Sequence, residues 1–148
     1  MSFSSSVYHQ MDDKNRIRIP VKYKAALGND FVLVAGDQRC ISVYPRAAWD
    51  ERVENMARKV RESNGDPKMM RAMRRIVSRV EDEIKEDSQG RITISAMLRA
   101  HIGIDKDDRD LITMGVQDHL EIWKVSDFEG YEDDMTMEEA YSAVGFFG

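Results

Sequence analysis

The sequence predicts an α+β fold made of two internal repeats with a helical segment between them. The first ground is a direct echo. His9-Gln-Met-Asp-Asp-Lys-Asn-Arg-Ile-Arg-Ile-Pro20 returns as Ile84-Lys-Glu-Asp-Ser-Gln-Gly-Arg-Ile-Thr-Ile-Ser95, so Asp12-x-x-x-Arg16 aligns with Asp87-x-x-x-Arg91. The second is periodicity: residues after each arginine alternate polar with apolar, and the next turn or two fall at helical spacing. Self-similarity of this kind takes precedence over other fold signals.

In each copy the alternation Arg16-Ile-Arg-Ile19 and Arg91-Ile-Thr-Ile94 sets Ile17, Ile19, Ile92 and Ile94 on one buried face, with Arg16 and Arg18 pointing the other way. Clusters of turn residues precede both strands. Gly90 accepts positive φ freely and Asn15 is the next most tolerant residue, so two residue types meet one backbone demand. Asp12 and Asp87 are suited to accept backbone N–H groups inside these turns.

Short helices follow over Pro20–Leu27 and Ser95–Ile102, opened by Pro and by a Ser cap and closed by Gly28 and Gly103. Next come two hairpins, Phe31–Ala35 with Cys40–Tyr44 and Asp110–Met114 with His119–Trp123. An insertion between Ile104 and Arg109 shifts the alignment there, after which Trp49 matches Phe128. Each repeat therefore reads strand, turn, strand, short helix, hairpin. Between them Trp49, Val53, Met56 and Val60 mark one helix, Asn64-Gly-Asp-Pro67 breaks it, and Met69, Met73, Ile76 and Val80 mark a second with Arg71, Arg74, Arg75 and Arg79 on its other faces. Methionine seams of this kind fill a core or a subunit interface. The expected divisions are 5–51 for the first repeat, 52–79 for the helical connector, 80–126 for the second repeat and 127–148 for an acidic tail.

At 148 residues the chain suits one ordinary core, and about 45 residues per repeat are too few for two independent ones. No apolar run approaches the roughly 18 residues of a membrane span, and Met1 to Met11 does not resemble a signal peptide, so the cytoplasm is expected. The single cysteine, Cys40, reads as a buried, inert thiol.

Net charge is −5, but it is unevenly spread. Residues 1–103 carry 19 Lys+Arg against 14 Asp+Glu, and residues 104–148 carry 3 against 13. This asymmetry fits a basic face and an acidic tail. Catalytic patterns are missing: His9, His101 and His119 are scattered, and no Cys-x-x-Cys, His-Glu-x-x-His or Gly-rich phosphate loop occurs. An enzyme is not expected, nor is a cofactor, a metal or a small-molecule substrate.

The duplicated Asp-x-x-x-Arg, with Ile-x-Ile-Pro20, Cys40-Ile-Ser-Val-Tyr44-Pro45, Trp49, Ile-x-Ile-Ser95 and Ile122-Trp123, resembles the MraZ family, built from two SpoVT-AbrB-type domains. The resemblance runs over roughly Ser5 to Phe128. It departs from the family pattern at Asn15 (usually Gly), at Ser95 (usually Pro) and at Phe3-Ser-Ser-Ser6, which lacks a Gly.

The resemblance implies a pseudo-twofold, swapped-hairpin β-barrel of the AbrB type, with the two repeats standing for two chains. It further implies a homo-oligomeric ring and a nucleoid-associated, sequence-specific regulator. Such a regulator binds double-stranded DNA at its own promoter region, usually repressing its division and cell-wall gene cluster through short tandem repeats. The DNA-binding residues are then Asp12, Lys14, Asn15, Arg16 and Arg18 in one loop and Asp87, Gln89, Gly90 and Arg91 in the other. Physical reasoning agrees, since an arginine on a rigid turn can contact guanine bidentately, while Lys14, Arg18, Lys22 and Lys24 suit phosphates. Two other readings stand beside it: an AbrB-fold, antitoxin-like protein whose acidic tail wraps a basic partner, and a purely structural ring.

Overall fold

The fold is described from a computed structural model covering residues 2–148; Met1, part of the amino-terminal segment considered above for a leader, lies outside the described residues. The chain runs β1 (Ser6–Gln10), β2 (Arg16–Arg18), α1 (Val21–Leu27), β3 (Phe31–Ala35), β4 (Cys40–Pro45), α2 (Arg46–Glu62) and α3 (Pro67–Val77). It continues with β5 (Arg91–Thr93), α4 (Ala96–Ile102), β6 (Asp110–Val116), β7 (His119–Lys124), α5 (Val125–Glu132) and α6 (Met137–Val144).

Five strands form an antiparallel sheet in the order β1-β6-β7-β4-β3, and β2 pairs with β5 in a separate two-stranded ribbon. Both arrangements interleave the repeats. β1 of the first lies against β6 of the second with Tyr8 opposite Ile112, and the ribbon sets Ile17 opposite Ile92. β4 and β7, equivalent strands, pair at the centre with Ile41 opposite Ile122. A pseudo-twofold thus relates the halves. The expected barrel does not close: the larger sheet is open, and strands of three residues leave the ribbon too short to join it to both edges.

One predicted strand is also missing. The segment corresponding to β1 in the second repeat makes a single bridge, Glu81 with Leu33, through reciprocal hydrogen bonds of 2.9 Å. Its sequence, Glu81-Asp-Glu-Ile-Lys-Glu86, explains the difference, because acidic residues are poor strand formers. Only Ile84 of this run packs against the core.

The helix ends follow local chemistry. Pro20 stands at the N-cap position of α1 without a side-chain capping bond; the Ser95 side chain accepts from the Leu98 amide to start α4, and Gly103 ends it in the left-handed conformation. Asp66 accepts from the Lys68 amide with Pro67 in the first turn of α3.

A single core joins the repeats. Ile17, Ile19, Leu27, Leu33 and Ile41 pack with Ile92, Ile94, Leu98, Ile102 and Leu120, all nearly inaccessible. The other face of the sheet carries helices. Trp49 of α2 meets Tyr44 at a ring separation of 6.1 Å, and their repeat counterparts, Phe128 of α5 and Trp123, meet at 5.7 Å. The segment read as an acidic tail therefore begins with a helix equivalent to the start of α2 and ends in a second helix, α6, neither of which was foreseen. Trp49 at one end and Phe128 at the other were the signal for the first.

Candidate nucleic-acid interface

Both turns that precede the ribbon are built on one aspartate. In the first, Asp12 Oδ1 accepts the backbone N–H groups of Lys14 at 3.0 Å and Arg16 at 2.8 Å, and Oδ2 accepts Arg16 Nε at 2.8 Å. In the second, Asp87 Oδ1 accepts Gln89 N and Arg91 N at 2.9 Å, and Oδ2 accepts Arg91 Nε at 2.8 Å. Asn15 at φ 63° and Gly90 at φ 74° occupy the left-handed position. The repeat is thus reproduced atom for atom, with different residues meeting the same backbone demand.

These bonds fix the protonation state of the aspartates. For Asp87 the Arg91 amide is the largest influence; it outweighs partial desolvation and, with the Gln89 amide and Arg91 guanidinium, lowers the carboxyl to about 2. At Asp12 desolvation acts upward, but the Arg16 amide and side chain and the Lys14 amide more than offset it, so this carboxyl also titrates below its usual range. Both carboxylates are therefore ionised at neutral pH and hold their arginines by charge-assisted bonds.

The ribbon then brings the two loops together. Arg16 pairs with Thr93 and Arg18 with Arg91 in the register, which sets the arginines on a diagonal about the Ile17–Ile92 pair. Arg16 Nη1 lies 3.8 Å from Asp87 Oδ2, and Arg91 Nη1 lies 4.0 Å from Asp12 Oδ2. Four charges form one alternating ring. Arg16 and Arg91 are 23% and 24% exposed, so each side chain is partly accessible while its Nε is engaged. Arg18 Nη2 donates to Gln89 Oε1 at 3.3 Å across the ribbon, and the Asn15 carbonyl accepts Ile94 N at 2.9 Å.

Of the nine residues expected at the site, Asp12, Lys14, Asn15, Asp87, Gln89 and Gly90 lie in the two turns, and Arg16, Arg18 and Arg91 in the ribbon strands that follow them. Among the flanking bases, Lys24 pairs with Glu86 at 2.9 Å, and Lys22 donates to the Ser5 hydroxyl, so both are partly committed within the chain. Lys14 and Arg18 are exposed.

One supporting residue was not anticipated. Arg109 Nη2 donates to the Asp12 carbonyl at 2.6 Å and to Asn15 Oδ1 at 2.7 Å, and Nε reaches the Met11 carbonyl at 3.4 Å. It braces the first loop only. Its place in the insertion that breaks the repeat alignment was the available hint; its target lies at the far end of the chain.

Two halves that fold alike, share one core and meet through matched Asp–Arg turns define a two-repeat, pseudo-twofold protein that presents paired arginine-bearing turns. A family profile described as "MraZ protein, putative antitoxin-like" matches residues 2–69 and 79–144. The chain belongs to the MraZ family. It is 34% identical over 132 residues to the transcriptional regulator MraZ of Saccharopolyspora erythraea, covering 89% of this chain and 87% of that protein. It is 35% identical over 135 residues to the transcriptional regulator MraZ of Mycobacterium avium, covering 91% and 88%. The transcriptional regulator MraZ of Limosilactobacillus fermentum is 30% identical over 146 residues, 99% of this chain and 97% of that protein. The role named for these relatives is regulatory and not enzymatic.

Proposed function

We propose that the chain is a sequence-specific, DNA-binding transcriptional regulator that reads double-stranded DNA with the Asp12–Arg16 and Asp87–Arg91 loops as one composite head. The observation that carries this reading is the four-charge ring. Each aspartate holds its arginine by Nε while Nη1 faces the other loop's carboxylate, so the side chain is already restricted before a base pair engages the guanidinium. A bidentate arginine–guanine contact is worth roughly 1–3 kcal/mol of discrimination. The two arginines are linked through carboxylates 3.8 and 4.0 Å away, so they act as one contiguous head and not as two separate contacts. Gln89, beside Arg18, supplies a further base-edge donor and acceptor. Lys14 and Arg18 face phosphates in this reading, and Asn15 and Gly90 serve the backbone turn.

The cross-repeat pairing of β1 with β6 and of β2 with β5 supports reading 5–51 and 80–126 as fused swapped-hairpin units, with 52–79 as connector and 127–148 as a carboxy-terminal extension. One head offers few contacts, so we further propose a homo-oligomeric ring that engages short tandem repeats, where each further head binds at raised effective concentration. The target is the promoter region of its own division and cell-wall gene cluster, the outcome is repression, and the site of action is the cytoplasm and nucleoid.

Gel retardation with DNA from upstream of the protein's own gene, across a salt series, tests this. Binding should weaken steeply with salt. Arg16→Ala and Arg91→Ala should each lower affinity about 10- to 100-fold, matching 1–3 kcal/mol, with the fold and the oligomer size retained. Undiminished retention in both variants would overturn the assignment.

A further inference from the structure

The loops and core leave two elements of the molecule without a partner, and they are chemically opposite. The α2–α3 hairpin carries an apolar groove lined by Met56, Val60, Met69, Met73 and Ile76. No residue of α3 is buried, and Met70 and Ile76 are 39% and 43% exposed. Beside this groove Lys68, Arg71, Arg74, Arg75 and Arg79 are all exposed. The hairpin's own ion pairs, Arg58–Glu62 and Arg61–Glu54, lie on α2 instead.

The carboxy-terminal segment has the converse character. Asp133 and Asp134 lead into α6, whose first turn holds Glu138 and Glu139. Behind them Tyr141, Phe146 and Phe147 cluster with ring centroids 4.9 Å apart. Phe146 and Phe147 are 65% and 81% exposed, and α6 contributes no buried residue. An exposed aromatic cluster preceded by four carboxylates matches a methionine groove rimmed by arginines in both apolar surface and sign of charge.

We propose that residues 133–148 of one copy dock on the α2–α3 hairpin of a second copy. The sheet order sets the two elements apart within a chain: α2 packs over β3 and β4, whereas α5, from which the tail departs, packs over β6 and β7 towards the other edge. Tail and hairpin are different surfaces, so the contact is heterologous and repeats head to tail, giving a closed ring where the rotation permits. Phe146 and Phe147, 65% and 81% exposed, would contribute most of the about 150–250 Å² each that aromatic side chains bury, a substantial share of the roughly 800 Å² per partner of a standard interface. Methionine side chains adapt to such rings and add sulfur–aromatic contacts. The inference deepens the homo-oligomer part of the proposed function by naming its surfaces, and it stands apart from the DNA assignment.

The test is light scattering and sedimentation of the full chain over a concentration series, beside three variants. One ends at Glu132; one carries Arg74→Glu with Arg75→Glu; one carries Glu138→Lys with Glu139→Lys. Each variant should dissociate at concentrations at least tenfold higher than the parent, with an unchanged circular dichroism spectrum for the two charge-reversed variants and an unchanged thermal midpoint for the truncated one. Mixing the two charge-reversed variants should restore association, because each tail then faces a hairpin of opposite sign. An unchanged mass after truncation, a parent that stays monomeric throughout, or failure of the mixture to reassemble would overturn the docking. Retardation of promoter DNA by the parent separates the readings: a parent that assembles yet fails to retain the DNA counts against the DNA head alone, and a parent that retains it while the three variants keep its mass counts against the docking alone.

Discussion

Arg16 of the first repeat and Asp87 of the second approach to 3.8 Å, although each already has a closer partner in its own loop. Through this contact and its twin, Arg91 with Asp12 at 4.0 Å, two turns that are separate in sequence become one electrostatic unit. A change in one loop should therefore be felt by the other.

Acid should test that unit first. The Asp87 carboxyl lies at about 2 in the folded protein, held down mainly by the Arg91 amide, and near 3.9 in an unfolded chain. A depressed native value adds stability that is complete above the unfolded value and disappears as pH falls through the native one. The thermal midpoint should accordingly decline between about pH 4 and about pH 2, and Asp87→Asn should show a lower midpoint at pH 5 with a shallower decline below pH 4. Equal slopes for parent and variant would disprove the linkage.

The left-handed residue in each turn offers a second test. Gly90 sits at φ 74°, and a Cβ there would meet Lys24 Nζ at 3.3 Å and Glu86 Oε2 at 3.7 Å, both mobile ends of side chains. Backbone strain, not space, sets the cost. Gly90→Val should destabilise by about 1–2 kcal/mol, whereas Gly90→Asn, the residue its twin uses at position 15, should cost clearly less. Denaturant titration of both variants decides this.

Cys40 should be unreactive. Burial, reinforced by the negative charges of Glu121 and Asp37, pushes its thiol up to about 12, and the thiolate is the reactive form. A thiol reagent at mildly alkaline pH should leave the folded protein unmodified and label it fully in denaturant. Rapid labelling of the native protein would contradict the burial.

Two histidines should titrate on opposite sides of the ordinary value near 6.5. His9 is lowered by burial, with Nε2 2.6 Å from the Thr113 hydroxyl. For His119 burial again acts downward, but hydrogen bonds and charges from Glu121 and Asp118 outweigh it and raise the group. The raised value means that His119 contributes stability below about pH 6.5 that is lost as pH rises through its folded value. Proton NMR of the ring signals, with His9→Gln and His119→Gln for assignment, should show the order directly.

Much of this architecture was legible in the sequence because it depends on neighbours. The turns follow from Asp12, Asn15, Asp87 and Gly90, whose bonds span four residues or fewer, and the short helices follow from their Ser, Pro and Gly ends. Alternation placed Ile17, Ile19, Ile92 and Ile94 inside, and all four are 2% exposed or less. The missing strand at Glu81–Glu86 was hidden because alignment with its twin carried the expectation, while its own acidic residues opposed it. Arg109 was hidden because its acceptors, Asp12 and Asn15, lie near the other end of the chain.

By itself, then, the sequence determined the repeat, the two turns, and which side of each strand faces the core, since backbone geometry and local hydrogen bonding specify these over a few residues. Only the tertiary structure decided that β2 would lie against β5, that the sheet would stay open, and that Arg16 and Asp87 would share one ring of charge. Those outcomes depend on which distant apolar faces bury one another, and the pairing of Ile17 with Ile92 draws both arginine loops to the same end of the molecule.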